Sequence, residues 1–136
     1  MSAIYADAVP ESRRAGFVHQ LFGLDFPLRL EPAVYAIASH LCRAYGGGVW
    51  DFYALCNGGF YMAPRGYDEL QVRCENGFEG ALTADAFGVT VCLYAFSQLS
   101  FSKDERFAQV CAEHFHRLRA FAGDHQLAQG IFAAID

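Results

Sequence analysis

The sequence is poor in lysine and in charge of either sign. Lys103 is the one lysine among 136 residues, and charged residues make up 18% of the chain, with a net charge of -5. Binding to nucleic acid phosphates requires clustered lysine and arginine, so this composition disfavours a general DNA- or RNA-binding protein. The net charge is also too small for a protein whose whole surface imitates DNA.

The cysteines lack the pattern of a disulfide framework. There are five of them, an odd number, and no two have a C-x-x-C spacing. This usage favours a reducing compartment, so we expect a cytoplasmic protein. The longest uncharged run, residues 86–102, contains Thr90 and several serines and is too short and too polar to span a bilayer, which predicts no membrane segment.

Sequence signatures of catalysis are missing as well. The chain has no Walker motif, no G-x-G-x-x-G and no G-x-S-x-G. Cys111, His114 and His116 come nearest to a metal cluster, but on a helix the first two share a face and His116 points elsewhere. We therefore predict no catalytic, cofactor-binding or metal-binding residues. A nucleophile and base brought together from distant positions stays open, because such partners meet in space.

Hydrophobic residues are abundant, at 54% of the chain, and include 13 Phe, seven Tyr and one Trp. This length and composition predict a single domain over residues 1–136 with a core built on aromatic rings. Trp50, Phe52, Tyr53, Phe60 and Tyr61 could form a platform for single-stranded bases, but no basic residue precedes Arg65 in this stretch. A buried sheet is the better interpretation.

Apolar spacing and turn residues predict the order of elements. Helices are expected at 10–22 and 31–45, strands at 49–55, 60–62, 70–74 and 78–82, and helices at 84–99, from about 105 to 123, and after 124. Asn57-Gly58 predicts a type I′ turn. Expected helix caps are Thr83, Ser102 with Glu105 as a capping box, and Asp124. The fold class is α+β, with a small antiparallel sheet of three or four strands in mid-chain packed by about five helices.

Acidic residues cluster in the second predicted hairpin. Between residues 68 and 85 there are five acids and one base, Arg73. Such a rim could meet a basic surface on a DNA-handling enzyme and speed the encounter. The alternative is an ordinary solvated hairpin whose charges discourage edge-to-edge pairing. The candidate partner-binding surface consists of Asp51, Asp68, Glu69, Glu75 and Glu79.

Two blocks of sequence resemble the KlcA/ArdB antirestriction family. Residues 45–64, YGGGVWDFYALCNGGFYMAP, match the pattern Y-x-G-G-x-W-x-F-Y-x-L-x-N-G-G-F-Y-M-A-P. Residues 76–80, NGFEG, and then residues 83–89, TADAFGV, resemble N-G-F-x-G-x-[ST]-A-D-A-A-G-I, and shorter matches, which include His125, extend to both ends. Phe87 departs from the pattern, which has a small Ala there, and Gln126-Leu127 replaces Pro-Glu.

The resemblance implies a bacterial, non-enzymatic protein of plasmids or other mobile elements that relieves type I restriction and needs no cofactor. Its partner would be the type I restriction-modification enzyme or an associated host factor. The alternative is a DNA-binding module that shields sites directly.

Overall fold

Residues 3–136, which the computed structural model describes, form strands and helices in a mixed order. The strands are β1 (Ala6–Ala8), β2 (Trp50–Leu55), β3 (Phe60–Pro64), β4 (Glu69–Arg73) and β5 (Glu79–Thr83). The helices are α1 (Arg14–Phe22), α2 (Glu31–Leu41), α3 (Ala84–Leu99), α4 (Glu105–Gly123) and α5 (Ala128–Ile135). This confirms the α+β class, with the strands placed before the three C-terminal helices.

The strands form two sheets instead of the one expected. The first is antiparallel with the order β1-β2-β3, in which Tyr53 pairs with both Ala8 and Tyr61. The second is the β4–β5 hairpin alone, with Gln71 opposite Ala81. Strand β1 was not predicted, because its sequence, Ala-Asp-Ala, has low strand propensity and gains its conformation by pairing with β2.

Both hairpins turn in the same way. Gly58 donates to the Leu55 carbonyl at 3.0 Å and Leu55 donates to Gly59 at 2.9 Å. Gly58 has φ of 89°, whereas no residue other than glycine has positive φ among the described residues. The predicted type I′ turn is therefore wrong, since it needs positive φ at Asn57 too. A three-residue loop with glycine in the left-handed region forms instead, and Gly77 repeats it in the second hairpin.

The first two helices begin or end differently from the prediction. A 3-10 turn at Glu11–Arg13 precedes α1, so the α-helix begins four residues after Pro10. Helix α2 ends at Leu41 because Cys42 takes an extended conformation, and the predicted final turn to Tyr45 does not form. A π-helical segment, Phe26–Leu30, leads into α2.

Two predicted caps are also wrong. The residue that caps α4 is Asp104, which accepts from the Phe107 amide at 3.2 Å, while Ser102 accepts from Asp104. No side chain in residues 3–136 caps α5. Asp124 accepts instead from the Ile4 amide at 3.1 Å, and so ties the end of α4 to the start of the chain.

Helix α3 lies at the centre of the core. Ten of its 16 residues are buried, as its apolar sequence predicts, and Thr83 caps it by accepting from the Ala86 amide at 3.2 Å. Gly88 lets it approach β3 closely: a Cβ there would overlap the Met62 carbonyl oxygen and lie 2.5 Å from Ala63 Cβ. None of the helices in residues 3–136 has both the length and the apolarity needed to cross a membrane.

The same helix covers the outer edge of β3. The Met62 amide donates to the Cys92 sulfur at 3.5 Å, and the Cys92 thiol donates back to the Met62 carbonyl at 3.6 Å. Pro64, at the end of the strand, has no N–H to satisfy. The first sheet therefore cannot extend beyond β3.

We expect Gly88→Ala to destabilise the protein by about 1–3 kcal/mol, because the added methyl group would force α3 away from β3. Urea unfolding followed by circular dichroism measures this. Gly16→Ala is the matched control, since Gly16 lies inside α1 and no atom of the described residues comes within 4 Å of its Cβ position. It should stabilise by about 0.5–1 kcal/mol. Equal effects of the two substitutions would contradict the close packing at Gly88.

Candidate functional site

Asp51, the candidate acid on β2, lies within a network of ion pairs. Arg14 and Arg65 reach its Oδ1 at 3.2 Å and 2.5 Å, and Arg65 also lies 3.5 Å from Glu11. The hydrogen bond from Arg65 holds the pKa of Asp51 below its ordinary value, although partial burial opposes this. Arg14 also donates to the Trp50 carbonyl at 2.8 Å. Asp51 therefore joins α1, β2 and the segment after β3.

The other four candidate acids lie on the β4–β5 hairpin or at its ends, and all are exposed. Glu75 contacts His40 of α2 at 3.2 Å, and Glu79 pairs with Arg73 at 2.7 Å. Asp68 and Glu69 form no ion pair with any residue in the described part of the chain. The structure joins none of these acids to Asp51. As a partner-binding surface, the five residues stay a prediction.

The three residues considered as metal ligands do not form a cluster. Cys111 and His114 are buried on α4, and His116 is exposed. Over residues 3–136, no group of three or more His, Cys, Asp or Glu side chains is placed to hold a metal ion.

His114 has a different role, as a buried aromatic side chain. Its ring lies 4.7 Å from that of Phe22 and 5.5 Å from that of Phe96, measured between centroids. Its Nδ1 is buried and forms no hydrogen bond with any described residue. Burial, assisted by the nearby charge of Arg117, lowers the pKa of His114 to about 4. The ring is therefore neutral at pH 7 and packs as part of the core.

A network of three polar side chains connects β3, α3 and the segment after α4. Tyr61 donates to Asp85 Oδ1 at 2.6 Å, and His125 Nε2 lies 2.7 Å from Asp85 Oδ2. The Leu127 amide donates to His125 Nδ1 at 2.9 Å, so the proton of the neutral ring is on Nε2, which donates to Asp85. Burial alone would raise the pKa of Asp85, but the hydrogen bonds from His125 and Tyr61 outweigh it and lower that pKa.

This network resembles a catalytic triad in composition but holds no free base. Both nitrogens of His125 and both oxygens of Asp85 already have partners within the protein. The Tyr61 ring is stacked between Tyr53 and Phe121, at centroid distances of 4.8 Å and 5.4 Å. The network therefore fixes the N-terminus of α3 against the sheet, and we interpret it as structural.

Sequence reasoning did not find this network. Asp85 is one of the five acids counted between residues 68 and 85, Tyr61 is predicted as a core aromatic, and His125 belongs only to the C-terminal family match. One signal could have pointed to the network. Tyr61 and Asp85 lie in the two central blocks of the family pattern, and His125 lies in its C-terminal match.

Comparison with known proteins settles the family. A family model described as antirestriction protein matches residues 43–136, a range that contains both hairpins and the Tyr61–Asp85–His125 network. The chain belongs to the antirestriction protein family. An antirestriction protein KlcA of Escherichia coli is 41% identical over 139 residues, covering 99% of this chain and 95% of the relative. The uncharacterized protein YafX of Escherichia coli K12 is 36% identical over 94% of this chain.

A solved structure supports the same family assignment. It is similar with a TM-score of 0.88 and 40% identity, over 99% of this chain and 96% of its own. It comes from work on the KlcA and ArdB proteins, which reports a novel fold and antirestriction activity against type I DNA restriction systems in vivo but not in vitro. In this chain the departure at Phe87 is accommodated in the core, where the ring is fully buried and lies 6.5 Å from that of Tyr45.

We expect Tyr61→Phe to destabilise the protein by about 1–2 kcal/mol, because it removes the hydroxyl that donates to Asp85 and leaves the ring stack in place. Tyr53→Phe is the control, because the Tyr53 hydroxyl forms no hydrogen bond with any residue that the structure describes. Denaturant unfolding of both variants gives the comparison. If Tyr53→Phe costs as much as Tyr61→Phe, the network does not have the structural role assigned to it.

We also expect His114 to make the protein sensitive to acid. The pKa of His114 is lowered to about 4 in the folded state and is about 6.5 when unfolded, so the unfolded chain takes up the proton first as pH falls. Stability should then decrease by about 2–3 kcal/mol between pH 7 and pH 4.5 from this residue alone. In His114→Leu this part of the pH dependence should vanish, whereas His116→Leu, at an exposed position on the same helix, should retain it. Unfolding curves at the two pH values measure the difference, and identical pH dependence in all three proteins would contradict it.

Proposed function

We propose that this protein relieves type I restriction of incoming plasmid or mobile-element DNA in the bacterial cytoplasm, by binding a protein and without catalysing a reaction. The observation that carries the proposal is the near-complete match to the solved relative, whose reported activity against type I systems is seen in vivo but not in vitro. A purified reaction can lack a cellular component, or a state of the restriction enzyme, that exists in the cell. An inhibitor that acts on such a component or state is expected to be active only in cells.

The charges support a protein partner over DNA. Five of the nine arginines are engaged in ion pairs with acids, and the net charge is -5. The remaining basic residues are spread along the chain: Arg13, Arg43, Lys103, Arg106 and Arg117. Tight contact with several phosphates requires free, clustered cations, so direct shielding of DNA sites is the weaker alternative.

The cysteines support a non-enzymatic role. Four of the five are buried, and burial raises the pKa of Cys92 and of Cys111 to about 12, which keeps both as thiols at neutral pH. Cys56 is exposed at the turn after β2, where its sulfur accepts from the Tyr5 amide at 3.3 Å. A nucleophilic cysteine needs a thiolate and usually a neighbouring base, and burial disfavours the thiolate at Cys92 and Cys111.

The proposal is tested by plating unmodified phage on cells that carry an active type I system. Expression of the protein is expected to raise the plating efficiency, and to have no effect on the same strain without the restriction subunit. The strain without the system is the control, because it separates relief of restriction from any general effect on phage growth. Unchanged plating at a protein level confirmed by immunoblot would count against the proposal.

A gel-shift titration at low salt tests the alternative. A protein-binding inhibitor with this charge distribution should leave duplex DNA unshifted, since low salt gives even weak phosphate contacts their largest effect. Relief of restriction together with tight, salt-sensitive DNA binding would favour the DNA-shielding function instead.

A further inference from the structure

The outer edge of β4 has unpaired backbone groups. Cys74 donates to the Phe78 carbonyl at 2.9 Å, which sets the direction of the hydrogen bonds between β4 and β5. Along an antiparallel strand, residues alternate between bonding to the partner strand and facing away from it. The backbone N–H and C=O groups of Glu69, Gln71 and Arg73 therefore face away from β5. Their N–H and C=O groups bond to no other backbone group in the described chain. At about 3.3 Å per residue, the five residues of β4 offer roughly 17 Å of open edge.

A groove runs beside this edge. Its volume is about 530 Å³, and it lies between β4 and the C-terminal end of α2. Buried Leu41, Val72 and Cys74 are among its lining residues and give it an apolar floor. A second opening of about 280 Å³ shares Leu41 and continues to Ile37 and Tyr94. The edge and the groove together could receive an extended chain, with main-chain bonds on one side and alternate side chains in the apolar floor.

The charges at this edge select the chemistry of the occupant. Within the groove, Glu79 is paired with Arg73, and Glu75 contacts His40, which carries a charge only when protonated. Arg43 also lines the groove and has no ion pair with a described residue, so it is free to contact an acidic side chain of the occupant.

The opposite end of β4 is acidic. Asp68 and Glu69 lie there, outside the groove lining, and neither is in an ion pair within residues 3–136. A strand added antiparallel to β4 places its side chains about 4.5–5.5 Å from those directly opposite. The complementary peptide has an acidic residue at its N-terminal end, opposite Arg73, and a basic residue at its C-terminal end, opposite Glu69. Between these ends, the residues opposite Val72 and Leu70, which are buried, are apolar, and the residue opposite Gln71 is polar.

We infer that the outer edge of β4 is a docking site for an extended peptide segment of a protein partner, which adds to the hairpin as a third antiparallel strand. The occupant has the pattern acidic, apolar, polar, apolar, basic. This inference rests on the proposed function, because it names the surface through which the inhibitor contacts its protein target.

A pair of proline substitutions tests the edge in cells. Gln71→Pro removes an outward N–H from β4 and places a ring where the added strand would lie. Ala81→Pro is the matched control, since Ala81 is opposite Gln71 and its N–H faces the other edge of the hairpin. The inference predicts that Gln71→Pro loses phage protection and that Ala81→Pro retains it. Circular dichroism and unfolding curves establish that both variants fold.

A second pair decides the question if the prolines unfold the hairpin. Arg43→Glu reverses the unpaired groove charge, and Arg106→Glu reverses an exposed arginine on α4, outside the groove. Protection should decrease for Arg43→Glu and stay at the wild-type level for Arg106→Glu. The docking site is wrong if Arg43→Glu and every folded edge variant protect as well as the wild-type protein does. The proposed function stands in that case. If wild-type protein gives no protection, the proposed function fails.

Binding of a defined peptide tests the edge independently of antirestriction. The probe is a labelled peptide, acetyl-Asp-Val-Thr-Val-Lys-amide, and the control is its reverse, acetyl-Lys-Val-Thr-Val-Asp-amide. The probe should bind wild-type protein and slow hydrogen exchange at the amides of Gln71 and Arg73. Gln71→Pro should weaken binding about tenfold or more, because tenfold corresponds to ~1.4 kcal/mol, the scale of one or two main-chain hydrogen bonds.

Two results would overturn the docking site in this experiment. One is that the probe and its reverse bind equally, or that exchange slows elsewhere and not at β4. The other is that wild-type protein forms dimers that Gln71→Pro disrupts, since the edge would then be occupied by a second copy, with Glu69 of each chain opposite Arg73 of the other.

Discussion

The contact between α3 and β3 at Gly88 is the constraint on which the rest of the architecture depends. With the helix backbone against Met62 and Ala63, the Cys92 sulfur can reach the Met62 amide and carbonyl, and the outer edge of β3 is closed. The next hairpin therefore cannot join the first sheet and forms one of its own. The open edge of β4 follows from that division.

Local signals in the sequence predicted most of the fold. Glycines in both turns, the Thr83 cap and the apolar run of α3 each act over a few residues, and the structure has them near the expected positions. The errors in the prediction lie where tertiary contacts determine the local structure. Strand β1 exists because β2 pairs with it, and Asp124 binds the Ile4 amide instead of capping α5. The division into two sheets depends on a helix–strand contact that no local pattern contains.

The candidate site was less predictable, because a count of acids along the chain does not reveal their partners. Asp51 pairs with Arg14 and Arg65, which lie 37 and 14 residues away in sequence. Asp85, one of the five acids counted between residues 68 and 85, forms a second network, and its partner His125 lies 40 positions away in sequence. Spacing predicts neighbours on one element, whereas both networks join three separate parts of the chain.

Of the five candidate acids, Asp51 and Glu79 are paired with arginines, and neighbouring opposite charges cancel within a Debye length, so these two contribute little long-range attraction. Short-range contacts can supply the recognition that these paired charges do not. An open strand edge is suited to this, since main-chain hydrogen bonds supply affinity for almost any extended segment, and the adjoining groove selects side chains. An isolated edge is ordinarily an aggregation risk that proteins limit with charge. The alternation of Glu69, Gln71 and Arg73 along β4 supplies such charge, and it would admit a segment of complementary pattern while disfavouring most others.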